Sequence, residues 1–172
     1  VHADGGSESF EFDRWKRLVA WQDPQGQVTR WTLAADGVPL SRTDALGHSI
    51  GYEYDLARRL TALTNENGAR YAFCYDARDN RIEERGFDGC KTRYEYDDSG
   101  WLLARIEEGD GSGPVIQSRY QRDTAGRLLE KMVSRGGDAV WQRTRYRYDA
   151  LGRLTAGVNH GGRSELEWDD AG

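Results

Sequence analysis

One short sequence pattern, repeated eight times, constrains the fold of this chain more than any other feature. The consensus of the copies is an aromatic, a polar and a second aromatic residue, then Asp, two variable residues, Gly, a basic residue and Leu. We call the Asp the repeat aspartate and count positions from it. It falls at Asp13, Asp55, Asp76, Asp97, Asp123, Asp149 and Asp169, and a degenerate copy has Ala34 there. The spacings of 21, 21, 21, 21, 26, 26 and 20 residues are typical of a repeat protein.

The residues before the repeat aspartate predict a β-strand. Apolar aromatic residues at positions −3 and −1 flank a polar residue at −2, which is a period of two. Tyr and Phe also favour strands. Position −1 is occupied by Phe12, Tyr54, Tyr75, Tyr96, Arg122, Tyr148 and Trp168. Position −2 is occupied by Glu11, Glu53, Cys74, Glu95, Gln121, Arg147 and Glu167. One face of the strand is therefore aromatic and the other polar.

The repeat aspartate itself predicts a tight hairpin turn. Its carboxylate can accept hydrogen bonds from backbone amides two residues on, and a Gly at +3 tolerates positive φ. Position +3 is Gly100, Gly126, Gly152 or Gly172 in four copies, and Lys16, Arg58 or Asp79 in others. The return strand is predicted to begin at Leu18, Leu60, Leu102, Leu128 and Leu154.

A second turn is predicted thirteen residues after the repeat aspartate, at Gly26, Gly47, Gly68, Gly89, Gly136 and Gly162. Each unit of about 21 residues is then one antiparallel hairpin with its connection. We predict an all-β chain of about fourteen strands in a curved or spiral sheet. Residues 1–172 are expected to form one array of about seven units plus a partial one, with longer loops near residues 107–114 and 135–139 and no second domain.

Two other repeat architectures fit less well. A β-propeller needs a period near twice the one observed and a systematic difference between odd and even units. A parallel β-helix does not need tight Asp-x-x-Gly turns. Composition favours a thin sheet, because only 37% of residues are hydrophobic and the mean hydropathy is −0.84. Much of at least one sheet face is expected to contact water.

Several copies resemble the YD repeats of Rhs-family proteins, from about Ser9 onward. The clearest are Tyr94-Glu95-Tyr96-Asp97-Asp98-Ser99-Gly100, Tyr146-Arg147-Tyr148-Asp149-Ala150-Leu151-Gly152-Arg153-Leu154 and Asp44-Ala45-Leu46-Gly47. The resemblance implies a sheet that spirals into a hollow shell around a C-terminal toxic domain until delivery. Insecticidal toxin complex C components and animal teneurins, which serve adhesion, have related shells. The predominance of Arg over Lys leads us to favour a bacterial polymorphic toxin.

The resemblance also implies parts that are not evident in this sequence. Rhs shells usually end in paired Asp-Pro-x-Gly-Leu motifs that perform autoproteolysis, whereas Asp23-Pro24-Gln25-Gly26 is followed by Gln27 and is predicted to be an ordinary second turn. The chain is expected to be a fragment of a longer array. The parent protein is expected to be secreted, for example by type VI secretion, or cell-surface exposed, after loading in the bacterial cytoplasm.

No enzyme site is predicted within the repeats. Fourteen positions are assigned a structural role: Phe12, Asp13, Tyr54, Asp55, Tyr75, Asp76, Tyr96, Asp97, Gly100, Asp123, Gly126, Tyr148, Asp149 and Gly152. The repeat aspartates recur in one context, whereas acid–base catalysis needs two differently placed groups in one pocket. His2, His48 and His160 lack partners at ligand spacing, so no metal or other cofactor is expected.

Cysteine content and charge limit the partners. Cys74 and Cys90 are expected to be reduced, although a disulfide between neighbouring strands stays an alternative. The net charge of −5 argues against a nucleic-acid surface, and no apolar stretch has the length of a membrane span. The expected partners are neighbouring repeats, the toxic domain and, through unpaired sheet edges, further copies of the fragment. Arg17, Arg59, Arg127 and Arg153 are predicted to form ion pairs.

An alternative function remains open at this point. Aromatic residues beside Arg and Asp are also typical of surfaces that bind sugar rings, so a carbohydrate-binding or cell-surface adhesion module is the second hypothesis. The exposure of the aromatic face discriminates between the two. A packed aromatic face indicates a structural core, and an open one makes sugar binding credible.

Overall fold

The protein's structure, a computed structural model, describes residues 7–137 and 141–166. These residues form fifteen strands and no helix, which confirms the predicted all-β class. The first seven strands are β1 Ser9–Phe12, β2 Leu18–Gln22, β3 Val28–Leu33, β4 Pro39–Thr43, β5 Ser49–Tyr54, β6 Leu60–Asn65 and β7 Arg70–Tyr75. The other eight are β8 Arg81–Arg85, β9 Lys91–Tyr96, β10 Leu102–Gly109, β11 Ile116–Arg122, β12 Leu128–Arg135, β13 Gln142–Tyr148, β14 Leu154–Asn159 and β15 Gly162–Glu165.

The chain divides into two compact units, residues 1–73 and 74–172, with the boundary inside β7. In the first compact unit, each strand from β1 to β7 pairs antiparallel with the next one along the chain. In the second compact unit, the same holds from β8 to β15. This chain-order, antiparallel pairing agrees with the hairpin prediction and rules out a parallel β-helix within either unit.

The strand boundaries follow the repeat closely. The return strands begin at Leu18, Leu60, Leu102, Leu128 and Leu154. The fifteen strands of the described residues agree with the expected count of about fourteen, and β15 follows the Asn159-His160-Gly161-Gly162 turn. In the region of the first insertion, β10 extends to Gly109 and β11 begins at Ile116. The second insertion falls partly on residues 138–140, outside the described part of the chain.

A β-bulge recurs beside the first turn of a unit. The residue at −1 pairs with the residue at +5, and the residue at −2 pairs with the one at +7, so the residue at +6 has no opposite partner. Tyr54 thus pairs with Leu60 and Glu53 with Ala62. The same register shift occurs at Phe12, Tyr96, Arg122 and Tyr148. A bulge of this kind bends the strand and increases its local right-handed twist.

Only small side chains are buried in the described residues. Ala20, Ala62, Ala104 and Ala156, all at position +7, are at most 3% exposed, and the other buried residues are Thr29, Ser118 and Ser134. Among residues 7–137 and 141–166, no large side chain is fully buried. Longer side chains on the same sheet face cover these short side chains. A second layer of structure is therefore not needed to bury them. The thin sheet expected from the composition is therefore what the structure shows.

The two cysteines do not lie on neighbouring strands. Cys74 is in β7, whereas Cys90 lies just before β9, and β8 comes between them in the chain. Both thiols are free. Cys74 is exposed, as expected for position −2, where the side chain points away from the aromatic face. None of the described residues forms a helix long and apolar enough to cross a membrane.

Candidate functional site

The most regular cluster of polar contacts is the first turn of each unit. At Asp55, the backbone amide donates to the carbonyl of Arg59 at 3.0 Å, and Arg58 N donates to the Asp55 carbonyl at 2.9 Å. Carboxylate Oδ1 accepts from the amides of Ala57 and Arg59, each at 2.9 Å. Oδ2 accepts from Arg59 Nε at 2.7 Å. One carboxylate therefore closes the loop and binds the side chain at position +4.

This arrangement recurs at Asp13, Asp123 and Asp149, with Arg Nε to Oδ2 distances of 2.7, 2.7 and 2.8 Å. The predicted ion pairs of Arg17, Arg127 and Arg153 are thus formed with the aspartate of the same turn. At Asp76 the amide of Asn80 replaces the guanidinium, at 3.0 Å. At Asp97, Oδ1 still accepts two backbone amides, and position +4 is Trp101.

The degenerate copy keeps the turn without the carboxylate. Ala34 N donates to the Val38 carbonyl at 2.9 Å, and Gly37 N donates to the Ala34 carbonyl at 3.0 Å. The backbone conformation is also kept where position +3 is not Gly. Lys16, Arg58 and Asp79 have φ values of 63°, 64° and 66°, in the left-handed region that non-glycine residues rarely adopt. The hydrogen bonds around the repeat aspartate hold this strained conformation in place.

The turn contacts lower the pKa of the repeat aspartates. At Asp55, the backbone hydrogen bond and then the side-chain hydrogen bond from Arg59 hold the pKa below its ordinary value of 3.8. At Asp149, the Arg153 side chain is the largest cause in the same direction. At Asp13 and Asp123, burial acts to raise the pKa, but the combined hydrogen bonds from the turn and the nearby guanidinium outweigh it. These carboxylates are poised to remain ionised, which does not suit a general acid.

Side chains at position +4 also reach the first turn of the following unit. Arg17 Nη1 donates to the carbonyls of Ala34 and Ala35 at 2.8 and 3.1 Å. Trp101 lies against Gly126, where a Cβ atom would come within 2.5 Å of the indole ring. Within each compact unit, the +4 side chains thus join neighbouring first turns, and we call these contacts the turn ladder: the repeat aspartates, their +4 side chains and the +3 residues of the next turn.

A second contact between successive units involves position −1. Tyr96 Oη donates to the Arg81 carbonyl, and Tyr148 Oη donates to the Leu128 carbonyl, each at 2.9 Å. Both acceptors are at position +5 of the preceding unit. Arg122, which replaces Tyr at −1, donates to the equivalent carbonyl of Leu102. Sequence reasoning missed this contact, although the preference for Tyr over Phe at −1 was a signal for it.

The hydroxyl contact at position −1 is testable with a single-atom change. We expect Tyr148→Phe to lower the free energy of unfolding by about 0.5–1.5 kcal/mol, because the half-buried Leu128 carbonyl loses its donor. Urea denaturation followed by tryptophan fluorescence measures the change. Tyr146→Phe is the matched control, since Tyr146 shares the strand and face, and no hydrogen bond from its hydroxyl is seen within the described residues. Equal effects of the two substitutions would contradict the contact.

The second turns use the same local chemistry. Asp23 Oδ1 accepts from the amides of Gln25 and Gln27 at 2.9 and 2.8 Å, and Gly26 has φ 83°. Asp23-Pro24-Gln25-Gly26 is therefore an ordinary second turn, as predicted. Asp44 accepts from the amides of Leu46 and His48, both at 2.9 Å. His48 also contacts the Asp44 carboxylate through Nδ1 at 3.3 Å, so its role is within the turn.

The aromatic face is neither a closed core nor an open platform. Phe10 and Phe12 are 52% and 58% exposed, while the Tyr residues of β5, β9 and β13 are half-buried. Guanidinium groups lie over several rings. The pairs are Arg14 and Arg17 with Trp15, Arg81 with Tyr94, Arg119 with Trp141, Arg122 with Trp101 and Tyr120, and Arg127 with Tyr148. The side chains of the sheet themselves thus occupy much of the ring surface.

The described residues contain no group of three or more His, Cys, Asp or Glu side chains arranged to hold a metal ion. Tyr94 Oη donates to Glu84 Oε1 at 2.6 Å, and Arg81 pairs with Glu84 at 3.0 Å. Burial, followed by the hydrogen bond to Glu84, raises the Tyr94 pKa. A phenol with a raised pKa does not act as a base near neutral pH, so this cluster is a polar contact between β8 and β9.

Comparison with known proteins places this architecture in a family. Residues 5–165 match the family described as Teneurin YD-shell. The chain is 35% identical over 103 residues to Double-stranded DNA deaminase toxin A of Burkholderia cenocepacia (strain H111), and 33% identical over 97 residues to Probable deoxyribonuclease RhsB of Dickeya dadantii (strain 3937). These matches cover 60% and 56% of the chain, but only 7% of the length of each relative.

Solved structures show the same fold. The crystal structure of TcdB2-TccC3 without its hypervariable C-terminal region matches 88% of this chain with a TM-score of 0.73. The crystal structure of TcdB2-TccC3 matches 87% of the chain with a TM-score of 0.72. Each match covers 9% of the larger chain, at 19% sequence identity. With its antiparallel hairpins and the family match over residues 5–165, the chain belongs to the teneurin YD-shell family.

Proposed function

We propose that this chain is a wall segment of an Rhs-type toxin shell, which encloses a C-terminal toxic domain until delivery. The observation that carries the proposal is the turn ladder. It joins successive hairpins through Arg17 to Ala34 and Ala35 and through Trp101 to Gly126, without a buried core of large side chains. A sheet held together in this way extends by adding units, and it leaves two faces of different chemistry, as the wall of a container needs.

The relatives support the toxin context. Both matched relatives are named for activity on DNA, a deaminase toxin and a probable deoxyribonuclease, and this chain spans only 7% of either. We infer that the activity resides elsewhere in such proteins and that the aligned part is shell. In our proposal residues 1–172 form one continuous repeat array, and the parent protein is loaded in the bacterial cytoplasm and then exported, for example by type VI secretion.

In this proposal the repeats perform no catalysis. The repeat aspartates close turns, the glycines at +3 allow positive φ, and the tyrosines at −1 join successive units. The carboxylates of Asp55 and Asp149 each accept two backbone amides and a guanidinium, and their lowered pKa keeps them ionised, so neither holds a proton to donate to a substrate. The purified chain is expected to show no hydrolysis or deamination of DNA above a blank, and reproducible turnover would overturn this part.

Protease protection in the parent protein tests the enclosure itself. We expect the region after the shell to resist a protease concentration that digests the same region expressed alone. Intact-mass spectrometry of the time course measures which segments survive. The isolated C-terminal region is the matched control. Digestion at equal rates in both samples would contradict enclosure, whatever the stability of the shell.

A carbohydrate-binding or adhesion role receives less support. Sugar recognition needs aromatic ring faces that are free to stack, whereas guanidinium groups lie over Tyr94 and Trp141, which are half-buried. Phe10 and Phe12 are open, but they lie together on the short strand β1. The shell function therefore accounts for more of the aromatic face than the adhesion function does.

A further inference from the structure

Strand β13 departs from the charge pattern of the other repeats. Its polar face carries Arg143, Arg145 and Arg147 at alternate positions. Position −2 is Glu in four of the other seven copies, Gln in one, Cys in one and Thr in the degenerate copy, so Arg147 reverses the usual charge. Within the described residues, no other strand places three Arg residues on one face. The fold does not require this pattern, because the same turn and bulge form elsewhere with Glu at −2.

These arginines form a continuous basic patch. Alternate residues in a strand are about 7 Å apart on one face. Across the sheet, Arg143 lies opposite Met132, which lies opposite Arg119, so the fourth arginine is two strands away. All four side chains are exposed. Arg145 Nε binds Glu130 at 2.8 Å, and this Glu is only 12% exposed. Arg143 and Arg147 form no ion pair within the part of the chain that the structure describes.

The surroundings of the basic patch favour an extended chain as its occupant. A groove of about 570 Å³ runs beside β13 and is lined by Trp141, Gln142, Arg143, Arg145, Val158, Asn159 and His160. Met132 lies between Arg119 and Arg143 on this face, and Val158 lies opposite Arg145, so both offer apolar surface beside the guanidinium groups. The patch therefore presents a positive charge at every second residue of β13. The apolar side chains beside these charges can contact the methylene groups of a bound chain's side chains.

We propose that the basic patch of Arg119, Arg143, Arg145 and Arg147 binds an acidic polypeptide segment in extended conformation along β13. The carboxylates of such a segment, at alternate residues, repeat at the same spacing as the arginines, and each guanidinium accommodates a carboxylate in bidentate fashion. A nucleic acid fits the observations less well. Arg119 already lies over the ring of Trp141, with its Cζ atom 5.1 Å from the ring centroid, where a base would stack.

Fluorescence anisotropy with the purified chain tests this proposal. The probe is a rhodamine-labelled peptide of four Ser-Asp repeats, and a peptide of the same composition with its Asp residues in one block is the peptide control. We expect the alternating peptide to bind more tightly than the block peptide at low ionic strength. Arg143→Gln/Arg147→Gln is expected to weaken binding about tenfold. This double variant keeps Arg145, so Glu130 stays paired.

A control variant separates the patch from net charge. Arg30→Gln/Arg42→Gln removes two exposed arginines from β3 and β4 and should leave the affinity unchanged. Equal weakening by the two double variants would overturn the proposal, as would no binding of the alternating peptide at about 1 mM. Tighter binding of an octamer of deoxythymidylate, lost in Arg143→Gln/Arg147→Gln, would also overturn it and assign the patch to nucleic acid. Circular dichroism confirms that the variants are folded.

Discussion

Replacing Gly126 by Ala is expected to lower the free energy of unfolding by about 2–4 kcal/mol. Two effects contribute. Gly126 has φ 82°, a conformation that costs an L-residue about 1–2 kcal/mol. The new methyl group would also lie 2.5 Å from the Trp101 ring. Because Trp101 is 47% exposed, its ring can rotate away, and the cost of doing so is the loss of the contact that joins the turns of Asp97 and Asp123.

Gly152→Ala provides the matched control for this substitution. Gly152 occupies the same position in its turn and has the same φ of 82°, but an added Cβ would be 3.7 Å from Arg127, an ordinary contact. It should therefore lose only the conformational part, about 1–2 kcal/mol. Urea denaturation of both variants gives the difference. In a protein that also carries Trp101→Ala, Gly126→Ala should lower the free energy of unfolding by no more than Gly152→Ala does. If Gly126→Ala lowers it as much there as in the unchanged protein, the steric explanation is contradicted.

The alternation of strands and turns was predictable because its causes are local. An Asp that accepts amides two and four residues later, followed by a residue that tolerates positive φ, needs no information from distant sequence. The strand starts at Leu60 and Leu128 followed directly from these turns. Lys16 and Arg58 occupy the same register position as Gly in other copies and adopt the same left-handed conformation, although neither residue type favours it.

Contacts between units were not predictable in the same way. The bond from the Tyr148 hydroxyl to the Leu128 carbonyl joins residues 20 positions apart, and it depends on the bulge that sets the register between strands. Arg122 shows the limit of residue-type reasoning, because it makes the equivalent bond although it breaks the aromatic pattern. The sequence also did not predict how far the aromatic rings are buried. Aromatic periodicity indicates which face a ring is on, but not whether anything covers that face.

Acid is expected to unfold the protein through the repeat aspartates. The pKa values of Asp13, Asp55, Asp123 and Asp149 are lowered in the folded chain. A lowered pKa means that the folded state binds the proton less readily than the unfolded state does. The resulting stabilisation is therefore fully present above the ordinary pKa of 3.8 and is lost as the pH falls through the lower folded values. The melting temperature should be nearly constant above about pH 5 and should fall steeply below pH 4.

Two asparagine substitutions separate this mechanism from general acid repulsion. Asp55→Asn keeps an Oδ1 acceptor for Ala57 and Arg59 but cannot ionise, so it should melt lower than the unchanged protein at pH 7 and lose less stability on going to pH 3. Asp97→Asn retains the same amide contacts, and Asp97 has Trp101 instead of a guanidinium at +4. It should therefore change the pH 7 melting temperature less. If the Asp–Arg turns govern acid unfolding, Asp55→Asn must flatten the dependence of the melting temperature on pH, because it removes one titrating carboxyl group. Parallel pH profiles for Asp55→Asn and the unchanged protein would therefore contradict this mechanism.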